Sequence, residues 1–190
     1  MTSMGGEHVE AAVGEMARAL RPHVDADWQE RAGSLDWSCW ETAAHVAHVL
    51  VKYAAQVAGG ATTSYLPFDL TVRPSPPQDV LEVAGACGRL LSGAIEHARP
   101  DAVAWHWGLS DTAGFAAMGV AETLVHTHDI TQGLDVDWTP PEPLSRLVVD
   151  RLVPDAPPGP GSDVLLWATG RADLDGRPRV ADWVWRATSS

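Results

Sequence analysis

An all-α fold is what the sequence predicts: a four-helix bundle followed by a small C-terminal appendage. Three observations carry this. Four long stretches space their apolar residues at helical period, each is bracketed by capping or breaking residues, and 190 residues suffice for one sizeable core but not for two domains of ordinary size.

The first helix covers residues 8 to 21, HVEAAVGEMARALR, where Val9, Ala12, Val13, Met16 and Leu20 share a face and Pro22 stops the run. Ser38 can cap the second, with Glu41 three residues on completing a capping box, and Gly59 and Gly60 end it. Residues 60 to 75 hold Gly60, Pro67 and Pro74 without a sustained period, which predicts a long surface connection of the kind that borders sites. Pro76 and Pro77 fit the first turn of the third helix, which runs to about Ala98 through Val80, Leu81, Ala84, Leu90, Leu91 and Ile95. Gly85, Gly88 and Gly93 weaken that helix or let a neighbour approach closely. Asp111 caps the fourth, and Gly133 closes it. Residues 1–139 are thus read as the bundle and 140–190 as an extension packed on it. The extension has a short helix over 143–152, the linker DAPPGPGSD, a helical turn near Asp163 to Gly170, and a strand-like alternation of Trp183 and Trp185.

Composition narrows the functional classes. An apolar content of 45% argues against disorder. No run approaches the ~18 apolar residues that a membrane span requires. The start, MTSMGGEHVEAAVGEM, does not read as a secretory signal, and two cysteines, Cys39 and Cys87, make no disulfide framework, so a cytoplasmic protein is expected. A net charge of -12 repels phosphate backbones, so neither nucleic acid nor membrane is an expected partner.

The stretch AETLVHTHDI, residues 121 to 130, places polar groups where a core helix should be apolar. At about 100° per residue, His126 lies at about 40° and Asp129 at about -20° from Glu122, while His128 falls about 120° away. Glu41, His45 and His48 repeat the same offsets on the second helix. Buried without partners, such groups cost several kcal/mol. Two readings satisfy them: a hydrogen-bonded network of histidine and carboxylate, or a shared metal ion. Two imidazoles and one carboxylate form the ligand set of a catalytic zinc site that keeps one position open.

SLDWSCWETAAHVAH, from Ser34, resembles the Trp-(Ser/Thr)-x-x-(Asp/Glu)-x-x-x-His signature of the DinB-like superfamily, in its mycothiol-dependent maleylpyruvate isomerase branch. HWGLSDTAGFAAMGVAETLVHTHDI resembles that branch's Glu-x3-His-x-x-Asp helix, and LLWATGR adds to the likeness. The resemblance implies a bundle holding a divalent metal, zinc, between helices two and four, with Glu122 and His126 as ligands. Counted from Trp37, the signature histidine is His45, with Ser38 in the hydroxyl slot and Glu41 in the acidic slot. Counted from Trp40 it is His48, with Glu41 and Ala44 in those slots, which fits less well. His45 is therefore expected as third ligand, with His48 as a reserve ligand or site-lining group. Asp129 is expected to accept from a ligand imidazole. The resemblance further implies mycothiol as cosubstrate, bound as thiolate and attacking an electrophilic substrate, and pairing of two copies through bundle faces. The characterised isomerase type carries a larger C-terminal domain than 140–190 provides, which argues against maleylpyruvate itself as substrate.

The same three ligands would serve a hydrolase with activated water, or a non-catalytic module that binds a metal or small ligand. Other residues invite roles of their own. Cys39, in the first turn of helix two, is a candidate nucleophile. Trp105, His106 and Trp107 are candidates to wall the pocket, with His106 a possible donor to substrate. Arg73 and Arg89 could hold a carboxylate.

Overall fold

Cap chemistry sets where the main helices start. A computed structural model of the chain describes residues 4–184. The first helix, α1, is Gly6–Leu20, and it buries Val9, Ala12, Val13, Met16 and Leu20 before Pro22 forces a single 3-10 turn over Arg21–His23. α2 is Cys39–Gly59. Its capping box is complete: Ser38 Oγ accepts from Glu41 N at 3.1 Å, and Glu41 Oε2 accepts from Ser38 N at 2.8 Å. Gly60 ends it in the left-handed region, with φ 56°. α3 is Pro77–Glu96, and α4 is Thr112–Gly133, capped by Asp111 Oδ1, which accepts from Gly114 N at 2.7 Å. Two further helices, α5 (Glu142–Leu152) and α6 (Gly161–Ala168), follow.

The fold is all-α, as expected, with one two-stranded sheet among the described residues. That sheet was not anticipated. Strands β1 (Val103–Trp105) and β2 (Leu109–Asp111) pair antiparallel with Ala104 opposite Ser110, immediately before α4. Their formation depends on distant chain: Trp105 N donates to Ala61 O, and Gln56 of α2 donates to Trp105 O. Trp183 lies in irregular chain, and Trp185 is outside the described residues.

α1 packs on α3 and α4, and α2 packs on the same two helices. α4 is buried on almost every side from Gly114 to Thr131, because α1, α2, α3 and α5 all lean on it. Gly119 allows that closeness, since a Cβ there would sit 2.6 Å from Leu91 Cδ2 and 3.3 Å from Leu50 Cδ2. The connection over 60–75 is irregular and lies along α2, where Gln56 bonds Ser64 O and Leu66 N, and Trp40 Nε1 donates to Ser75 O at 2.8 Å. In the segment after residue 139, α5 packs on α4 and α6 on α5. No helix among the described residues is long and apolar enough to cross a membrane.

Candidate metal centre

Because the Ser38 cap fixes the start of α2, His45 comes to lie where α2 faces α4. Its Nε2 is 3.8 Å from Glu122 Oε2, and His126 Nε2 is 3.3 Å from the same oxygen. The two imidazoles meet edge to face, centroids 5.0 Å apart. One ligand atom from each of the three residues lies within 4.8 Å of the others, a group able to hold a metal ion. Tetrahedral coordination with bonds of about 2.1 Å separates ligand atoms by about 3.4 Å, so rotamer adjustments of about an ångström would complete a site. Glu122 and His126 are buried, whereas His45 is partly exposed, so the group is reached from the His45 side. The Trp37 ring, 42% exposed, lies over His45 with centroids 4.7 Å apart.

Behind His126 stands a relay. Its Nδ1 donates to Asp129 Oδ2 at 3.0 Å, which leaves Nε2 directed at Glu122. Arg171, after α6, donates to both Asp129 oxygens, from Nη2 at 2.7 Å and from Nε at 3.1 Å. Burial would lower the His126 pKa, but the bonds and charges of Asp129 and Glu122 outweigh it and hold the imidazole up to about 9. Burial would likewise raise Asp129, yet the His126 and Arg171 bonds keep it below the usual carboxylate range. Nε2 of His126 can therefore meet Glu122 through a proton or through a shared cation, and this geometry suits both.

The remaining sequence candidates separate clearly. His48 turns to the connection: its Nδ1 is within 3.3 Å of Leu70 N, and its Nε2 is 3.8 Å from Asp69, so His45 rather than His48 joins the group. Glu41 is engaged in the Ser38 cap. His128 points away, as its phase predicted, and burial lowers its pKa. Cys39 is fully buried, its Sγ near Ile130 O, and burial pushes the thiol up to about 11. The dipole argument for a reactive Cys39 fails because desolvation dominates. Arg73 and Arg89 are exposed, Arg89 on a groove between α1 and α3.

His106 is buried and pairs through Nδ1 with the Tyr65 hydroxyl, its ring edge on Tyr53 at 5.3 Å. Burial pulls its pKa down to about 4 against the opposing charge of Glu122, so it is neutral at pH 7. Burial, with the Glu122 charge adding to it, also raises the pKa of Tyr53 and Tyr65. Trp105 meets Tyr65 edge to face, centroids 5.0 Å apart, while Trp107 is 78% exposed at the hairpin tip. Sequence reasoning missed Arg171, Trp37 and Tyr65 as site residues. Arg171 closes LLWATGR, where no local pattern gives the arginine a role.

The fold and the site define a helical protein with a His-Glu-His group able to hold a metal ion. Compared with known protein families, curated proteins and solved structures, the chain matches none.

Proposed function

We propose that the chain is a DinB-like four-helix bundle that holds zinc through His45, Glu122 and His126, and acts as a transferase or isomerase dependent on a small thiol, mycothiol by resemblance. The observation that carries this reading is the convergence of three donors from α2 and α4, with the His45 side left open. A doubly charged ion held by these three residues would supply a Lewis acid able to keep a thiol ionised. Charge counting favours such a ligand. Two neutral imidazoles and one carboxylate leave the site a net positive charge, and Arg171 already neutralises Asp129.

The chain's own groups have separable tasks. Asp129 keeps the proton on His126 Nδ1, and Trp37 packs against the His45 ring. The Tyr65–His106 pair offers an uncharged hydrogen-bonding group within reach of the Glu122 charge. Full ionisation of a thiol of pKa ~8.5 gains only ~30-fold at pH 7, so most rate enhancement has to come from positioning the electrophile.

The test is a thiol panel on the purified chain. Transfer of mycothiol, bacillithiol or glutathione to a generic electrophile is measured with and without a chelator. The expected outcome is acceleration by one thiol that disappears with the metal. Undiminished transfer in chelator would sink the reading. Metal-dependent ester cleavage without thiol would make the chain a hydrolase, and tight metal retention without turnover would make it a binding module.

A further inference from the structure

We infer that Arg171 is a positioning residue for the metal site, and that the segment after residue 139 serves the site by holding this guanidinium against Asp129. The inference rests on reading His45, Glu122 and His126 as metal ligands.

Local chain geometry aims Arg171 at α4. Gly170 follows the end of α6 with φ 78°, a left-handed conformation, and a Cβ on it would lie 2.8 Å from Val180 O. The chain turns there, and Arg171 N closes the turn on Leu166 O at 2.7 Å. The side chain then runs back toward α4 and is 9% exposed. Its donors are well occupied: Nε and Nη2 on Asp129, and Nη1 on Thr169 O at 2.6 Å. Trp183, from the chain beyond, lays its ring 5.6 Å from the guanidinium carbon.

Burying a guanidinium and a carboxylate together is costly, and an apolar pair of similar volume would stabilise the packing as well or better. What an apolar pair would not do is hold a planar acceptor at a fixed angle to His126 Nδ1. Without the fork, Asp129 loses two donated bonds and is left leaning on the imidazole it should orient, and both its oxygens can swing about Cβ–Cγ. The imidazole plane, and with it the direction of Nε2, then loses its reference. Partners of this kind behind a ligand histidine change metal affinity by roughly 10- to 100-fold.

The test uses the full chain and zinc alone as probe. Zinc affinity is measured by competition with a chromophoric chelator, for wild type, Arg171→Met, Arg171→Lys and Arg146→Met. Arg146 belongs to the same segment but bonds Glu142, Asp150 and Gly159 instead of the site. Arg171→Met is expected to lose roughly 10- to 100-fold in affinity. Arg171→Lys should fall between, keeping the charge without the fork, and Arg146→Met should match wild type. The cobalt-substituted Arg171→Met protein should also show an altered visible spectrum, which a merely stabilising arginine would not produce. Should Arg171→Met fail to fold, Arg171→Lys decides, with its unfolding midpoint in chelator compared with wild type. Zinc affinity unchanged in the folded variant overturns the inference and leaves the ligand assignment standing. A wild-type chain that takes up no zinc overturns both.

Discussion

Glu122 Oε2 is the atom on which the site turns, because both imidazole Nε2 atoms converge on it from opposite helices. On the proposed ligand set, His126→Ala removes one of three donors and should abolish metal retention. His128→Ala and His48→Ala should leave it nearly unchanged, since one side chain points out of the group and the other is turned to Leu70. Elemental analysis of the purified variants checks this, and equal metal loss in all three would reject the phasing of both helices. Cys39 gives a prediction of the opposite kind. Fully buried with its thiol pushed up to about 11, it should resist alkylation at pH 8 until the chain unfolds. Mass spectrometry after timed iodoacetamide treatment would expose an error as rapid native labelling. The Glu122, His126 and Asp129 stripe was legible from sequence because a helix converts spacing into direction. The choice of His45 over His48 could be read from Trp37 but not from phase, since both share the stripe; in space His45 faces Glu122, while His48 faces Asp69 and the Leu70 backbone.

Helices were read well where their ends carry local chemistry. The Ser38–Glu41 box, the Asp111 cap and the Gly60 stop each act within a few residues, so the expected starts and stops of α2 and α4 match the structure. Ser38→Ala should cost about 1 kcal/mol. For a chain of this size that lowers the thermal midpoint by about 2–4 °C. Gly133→Ala should cost more, because the added Cβ would meet Cys39 Sγ at 2.6 Å and press on the Arg31 carbonyl. Calorimetry ranks the two, and a smaller loss for Gly133→Ala would mean that the contact between α4 and the chain before α2 is soft. The β1–β2 hairpin was illegible because each strand has only three residues and its anchors lie on Ala61 and Gln56, more than forty positions upstream. Tyr65 meets His106 through the same long-range closure.

At the scale of the whole molecule, a metal held at this site would couple stability to both metal and pH. The folded His126 pKa of about 9 lies above the unfolded value of about 6.5. Its stabilising contribution is therefore complete below about pH 6.5 and is lost as pH rises through about 9. In chelator, the urea midpoint should fall across that window. A zinc ion held by His126 Nε2 would take the place of its proton, so with zinc in excess the fall should shrink or vanish; identical pH profiles with and without zinc would contradict a shared position. The Asp129–Arg171 link spans 42 positions and joins α4 to the chain after α6, a tertiary contact that no local pattern announces. Direct proof of the centre is anomalous diffraction at the zinc edge from crystals of the zinc-loaded chain. One peak is expected between α2 and α4, about 2.1 Å from an imidazole nitrogen of His45, an imidazole nitrogen of His126 and a carboxylate oxygen of Glu122. A peak elsewhere, or none between these helices, would contradict it.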